Sequence, residues 1–177
     1  MRGMDQETVA DQPQFRFISQ GWKDYMTQLE IKAHAKLDRQ LRFEMLLTEI
    51  STLFINLPVD RIDSEIEVVQ RRVCEFLNLD RSTLFQVSEG ESGSLLLTHI
   101  HQPPGSRPPP KRIDVNDFWP WTIQKILGGE TLAISKMSDI PADAVRDRET
   151  FGLYGTKSVV VVPLSVERRN VFGLLSL

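Results

Sequence analysis

The chain reads as a mixed α/β domain: a largely antiparallel sheet carries helices on one face and a lid of short helices and loops on the other, with a long helix in front. Three observations lead there. Lys157 to Val166 and Val171 to Leu177 are β-branched and aliphatic runs joined by the polar turn Glu167-Arg168-Arg169-Asn170, the pattern of an antiparallel hairpin facing a core. Trp22 to Asn56 contains neither proline nor glycine and is rich in Leu, Lys, Arg, Glu, Gln and Ala, which predicts a helix too long to serve only its own core. Between them the pattern alternates helix, strand, strand, loop, short helix, strand and helix.

Composition bounds the class. With 177 residues, 41% of them hydrophobic and 25% charged, the chain matches one globular domain plus an extension. A formal net charge of -3 offers no basic surface able to neutralise many phosphates, so direct nucleic-acid binding is not expected. No run approaches the roughly 18 apolar residues of a membrane span, and Met1-Arg-Gly-Met-Asp-Gln-Glu lacks the apolar region of a signal peptide, so a cytoplasmic location is expected. The single cysteine, Cys74, rules out an intrachain disulfide.

In order along the chain, residues 1–21 are assigned to a disordered segment or the stub of an upstream one, since Met1 to Gln14 is polar and aperiodic. Residues 22–40 form a linker or signalling helix in which Met26, Leu29, Ala33 and Leu37, continued by Leu41, recur without a strict heptad, a stripe that suits pairing with a second copy. Leu46, Ile50, Leu53 and Leu57 then make a core-facing stripe. After Pro58, Asp60 is expected to cap a second helix with Ile62, Ile66, Val69, Val73 and Phe76 on its apolar face and Gln70 largely elsewhere. Asn78 suits the left-handed turn that ends it. Ser82 to Ser88 and Ser94 to Gln102 predict a hairpin about Glu89-Gly-Glu-Ser-Gly93.

The prolines at 103, 104, 108, 109 and 110 exclude a central strand, so Gln102 to Lys111 is expected as an exposed loop, a plain surface loop being favoured over a polyproline ligand. A short helix follows in Asp117 to Leu127, capped by Asp117 and closed by Gly128-Gly129; Thr131 to Ser135 reads as a strand. Asp139-Ile-Pro141 opens a further helix to Tyr154, stopped by Gly155.

Against that frame of elements, several segments resemble one family. Leu41-Arg-Phe-Glu-Met-Leu-Leu-Thr-Glu-Ile-Ser, Asn56-Leu-Pro-Val-Asp-Arg-Ile-Asp-Ser-Glu-Ile and Arg71-Arg-Val-Cys-Glu-Phe-Leu-Asn-Leu-Asp-Arg-Ser look like the opening of a bacterial GAF domain. Phe118-Trp-Pro-Trp, Lys157-Ser-Val-Val-Val-Val-Pro-Leu-Ser-Val and Val171-Phe-Gly-Leu-Leu resemble its later landmarks. The resemblance covers residues 41–177 and implies a sensory module of the kind found in sensor histidine kinases of two-component systems and in enhancer-binding transcriptional activators. It also implies that a C-terminal helix would follow the last strand, so the domain is expected to be incomplete at Leu177, the front part of a longer regulatory protein.

The same resemblance places a ligand cavity between the sheet and the segment Asp117 to Tyr154. Trp119 and Trp121 offer flat surfaces for stacking a heterocycle, with closure of the core as the favoured alternative for each. Phe151 and Tyr154 lie on the adjacent helix, and any pocket is expected to be lined by Trp121 and Phe151. Lys157 and Ser158, at a strand start facing that region, suit an anion or are solvated. His99 and His101 share a strand face, yet no third ligand stands at a recognisable spacing, so no metal site is expected. Cys74 is expected to be buried and inert, and away from the cavity, where a covalent bilin would need its attachment cysteine.

No phosphate loop, nucleophile elbow or zinc-protease motif is present. Asp143 to Glu149 is read as an exposed, salt-bridged helix face. Three functions remain: a ligand-sensing regulatory module passing its state through the flanking helices to an output domain, a ligand-free dimerisation and relay domain, or an enzyme of the methionine-sulfoxide-reducing type. A single cysteine disfavours the last, because that chemistry passes through an intramolecular disulfide. The chain is therefore expected not to be an enzyme, with a small-molecule effector as partner and a homodimer formed through the N-terminal helix; the cofactor, if any, is undefined.

Overall fold

The computed structural model describes residues 13–88, 93–166 and 170–177. The chain divides after Asn56 into a helical unit and a sheet-bearing unit beginning at Leu57, later than the Leu41 start read from the sequence.

Helix α1 spans Pro13–Ile55, 43 residues that extend roughly 65 Å at about 1.5 Å per residue. It begins before Trp22 and passes through Gly21, so the helix takes in residues 13–21; residues 1–12 lie outside the described residues. The side chains of Trp22, Met26, Leu29, Leu37 and Leu41 are exposed along it. Trp22 and Tyr25, three apart and so on neighbouring turns, meet edge to face at 6.1 Å.

The second unit opens with a 3-10 turn, Val59–Arg61, and helix α2, Ile62–Leu77. Asp60 therefore sits inside the turn and is not the helix cap; that place falls to Arg61, which makes no side-chain capping bond. Asp63 and Glu65 in the first turn still complement the helix dipole. The C-cap is Asn78, left-handed at φ 56 and ψ 53, as its short amide side chain allows.

Strands β1 (Ser82–Val87), β2 (Ser94–His101), β3 (Arg112–Asp114), β4 (Leu132–Ile134), β5 (Val159–Val166) and β6 (Asn170–Ser176) form one sheet in the order β3-β2-β1-β6-β5-β4. Every neighbouring pair is antiparallel. Both expected hairpins form, β1 with β2 and β5 with β6, although residues 89–92 and 167–169 of their turns lie outside the described residues.

Alternation then sorts the two faces. Phe85, Leu95, Ile113, Val159, Val161 and Leu174 point to one side and join Ile123, Ile126, Ile134, Ile140 and Phe151 in a single core. Helix α2 packs over β1 and β2 on the other. Its most buried residues are Cys74 and Gln70, so the apolar stripe is centred one position from where the sequence pattern put it, and Gln70 faces inward.

The first face is roofed by helix α3 (Pro120–Leu127) and helix α4 (Val145–Leu153), with a 3-10 turn at Met137–Asp139 between them. Helix α3 starts at Pro120, whose missing N–H costs nothing at N1, so Asp117 lies outside it and is not its cap. Its cap comes from elsewhere. Helix α4 begins at Val145, later than the Asp139-Ile-Pro141 opening suggested, because the residues after Pro141 make a turn, Ala144 N–H to Pro141 C=O. Gly155, at φ 65, ends it as expected and lets the Thr156 N–H reach the Phe151 carbonyl at 3.0 Å.

One close approach explains a glycine in the last strand. A Cβ on Gly173 would stand 2.6 Å from the Phe85 carbonyl oxygen, so no side chain fits where β6 crosses β1.

Candidate functional site

A cavity of about 450 Å³ opens within the sheet-bearing unit. Its floor is the sheet: Thr83 and Phe85 of β1, Leu95, Ile113, Val159, Val161 and Leu174 line it. One wall is Trp119, Thr122, Ile123 and Phe151, the rim beside it is Tyr154 to Ser158, and the opposite rim is Asn78 to Arg81. Pro103, Ser106 and Pro109 complete the enclosure. The loop expected to be a plain exposed segment is thus part of the cavity, with Pro109 buried.

Trp119 is the centre of the wall. Its ring lies 5.8 Å from Phe151, 6.0 Å from Tyr154, 5.7 Å from Phe118 and 6.4 Å from Phe85, an aromatic cluster in tilted and edge-to-face geometry. Five of the six residues nominated from the sequence, Trp119, Phe151, Tyr154, Lys157 and Ser158, line the cavity. Trp121 does not. It is half-buried and packs against the core from the first turn of α3, whereas Trp119 stands just before the helix in a non-helical conformation at φ -135 and ψ 60. The pairing of Trp121 with Phe151 as the lining is replaced by that of Trp119 with Phe151.

What holds the wall is a residue the sequence pattern misassigned. Asp147 lies on α4 within the stretch read as an exposed charged face, yet it is 0% exposed. Its carboxylate accepts the Trp121 N–H at 3.1 Å and the Thr122 N–H at 2.9 Å, capping α3 from another element. The neighbours do behave as the pattern suggested: Arg146 pairs with Glu149 at 3.6 Å and also donates to the Asp117 carbonyl at 2.7 Å. A charge alternation carries no mark of which carboxylate turns inward.

The rim is polar and mixed in sign. Arg81 donates to the Arg107 carbonyl at 3.3 Å, and the Arg107 guanidinium stacks 5.9 Å from the centre of the Tyr154 ring. Asp80 adds a carboxylate, and Lys157 is an exposed cation with no ion-pair partner among the described residues. Deeper in, Trp119 Nε1 and Thr122 Oγ1 are buried with no hydrogen-bond partner among the described residues.

The remaining candidates lie elsewhere. Cys74 is on α2, 1% exposed and absent from the cavity lining. Burial first, and then the Asp80 and Glu75 carboxylates, push its thiol above the ordinary value of 9.0, which suppresses the reactive thiolate. His99 faces Asp63 of α2 at 3.4 Å. No cluster of three or more metal-ligating side chains exists among the described residues.

A family model described as the GAF domain matches residues 61–177, and the chain belongs to that family. The phycoerythrobilin-bound GAF domain from a cyanobacterial phytochrome is similar in structure with a TM-score of 0.60 at 18% identity, covering 77% of this chain and 81% of that one. The nlh2 GAF domain of A. aeolicus in an inactive state gives 0.57 at 14%, covering 78% and 79%. The GAF domain from a phosphoenolpyruvate-protein phosphotransferase of Coxiella burnetii gives 0.55 at 17%, covering 75% and 74%. No curated protein matches the chain. Among the described residues, no helix is long and apolar enough to cross a membrane.

Proposed function

We propose that the chain is the small-molecule-sensing module of a bacterial signal-transduction protein, which relays the ligand's presence through its flanking helices to an output domain. The observation that carries this reading is the cavity: an apolar floor of paired strands, an aromatic wall about Trp119, and a charged rim. Such a lining suits a planar effector, held by stacking inside and by polar contacts at the mouth. The role is regulatory and not enzymatic, in keeping with a lone cysteine of suppressed reactivity. A bilin attached through a cysteine does not fit, because no cysteine lines the cavity.

Two copies of α1 pair in this reading. Leu29, Leu37 and Leu41 are exposed in the single chain, and their burial against a second copy would supply the association energy. A domain that only dimerises and relays would share this helix but leave the cavity unused. Thermal unfolding against a metabolite library separates the two: a ligand present at about 100 times its Kd adds roughly 2.7 kcal/mol to the folded state and raises Tm. If no compound raises Tm, the relay reading replaces the sensing one.

A further inference from the structure

Resting on the reading that this cavity takes a small molecule, we infer its class: a zwitterionic α-amino acid whose aromatic side chain ends in a hydrogen-bonding atom, as tyrosine does. The rim is where the charges are. Thr83 of β1 and Val161 of β5 both pair with Ser176 of β6, so the segments leading into β1 and β5 enter the sheet at the same end. They stand two strand spacings apart, about 10 Å. Asp80 and Arg81 precede β1, and Lys157 precedes β5; all three line the cavity.

A ligand that is only an anion leaves Asp80 facing it, and one that is only a cation meets Arg81 and Lys157. A zwitterion satisfies both signs at once. The C-terminal end of α2, which leads into the segment carrying Asp80, adds carbonyl groups that favour an ammonium there. Lys157 is left for the carboxylate, and its long stem crosses part of the gap.

Inside, the lining is uncharged and aromatic, which accepts a flat ring and rejects a charged side chain. Yet it is not wholly apolar. Trp119 Nε1 and Thr122 Oγ1 are orphaned polar atoms in the wall, and Thr122 is 3% exposed. The indole N–H only donates, so its partner must accept; the threonine hydroxyl does either. A phenolic oxygen accepts from the first and donates to the second. Both atoms are closed off from solvent, so this contact requires the wall to rearrange, and tryptophan emission should change on binding.

Calorimetry on the full chain with four probes tests this. Tyrosine should bind; phenylalanine, which lacks the acceptor, tyramine, which lacks the carboxylate, and hydroxyphenylpropionate, which lacks the ammonium, should each bind about tenfold more weakly or worse. The variants should separate the contacts. Lys157→Met should weaken tyrosine and leave tyramine unchanged, Asp80→Asn should weaken tyrosine and leave hydroxyphenylpropionate unchanged, and Thr122→Val should weaken tyrosine and leave phenylalanine unchanged. A general loss of structure would weaken all probes together and would count against the assigned contacts. If tyrosine binds no tighter than its three analogues, or none binds while another metabolite raises Tm, the amino-acid class is overturned and the sensing role stands. If nothing in the library binds either, both fall.

Discussion

The floor and the wall of the cavity are built on different principles. The floor is a ladder of antiparallel strands whose hydrogen bonds and alternating side chains are spread over six elements, so no single residue holds it. The wall consists of two short helices of 8 and 9 residues, below the ~12–15 that can stand alone in water. It is held by one buried carboxylate and one aromatic cluster. A distributed structure tolerates change, whereas a concentrated one can move or fail at a point, which suits the side of a cavity that must respond.

Removing the carboxylate should break the comparison hardest. Asp147→Ala is expected to destabilise the sheet-bearing unit by about 2–4 kcal/mol in denaturant unfolding, the worth of two charge-assisted hydrogen bonds at a buried helix start. A loss under about 0.5 kcal/mol, the surface norm, would mean the wall is held by the rings alone.

The floor has one intolerant point, where Gly173 meets Phe85. Gly173→Ala should cost about 1–3 kcal/mol by overpacking. Unchanged stability would show that β1 and β6 can part slightly without harm. For any ligand found, Trp119→Ala should weaken binding by about 1–3 kcal/mol, the value of one stacked ring. Trp121→Ala should leave binding within about 0.5 kcal/mol, since Trp121 is outside the lining. The reverse order would move the site to the other side of α3.

The smallest effect concerns α2, which lies across the sheet from the cavity. With its thiol held above the ordinary range, Cys74 should react with iodoacetamide at neutral pH only as fast as the unit opens, and faster in denaturant. The sign of the pH dependence follows. The unfolded thiol loses its proton first as pH rises, so this contribution to stability is complete below pH 9.0 and declines above it. Rapid labelling of the native protein would place Cys74 at the surface.

The hairpins β1–β2 and β5–β6 and the short β4 were legible as β-branched and aliphatic runs between turn residues, and they lie within a residue or two of their predicted bounds, whereas the three-residue β3 was not read. Asn78 and Gly155 were legible as left-handed ends, since few residues tolerate that backbone. The caps of α2 and α3 were not. Asp60 and Asp117 carry the right side chain at the right distance from a helix, but a 3-10 turn and a proline shift both starts beyond them. Trp119 and Trp121 are equal in the sequence and differ in place: Trp119 is the non-helical residue before α3 and Trp121 lies in its first turn. Asp147 was hidden for a further reason. Its partners are the backbone N–H groups of Trp121 and Thr122, more than twenty positions away, and main-chain donors leave no signature in a sequence.

The proline-rich loop bears on affinity through entropy. Five of the residues between Gln102 and Lys111 are prolines, and the segment supplies Pro103 and Pro109 to the enclosure. Each proline fixes φ in the unfolded chain as well as the folded one, so little backbone freedom remains to be lost when the loop closes the cavity. A glycine-rich loop of equal length would have to be ordered by each ligand that entered, at the expense of binding strength. Here five of the loop's φ angles are already fixed, so ordering this side of the site on binding costs less backbone entropy than a proline-free loop would.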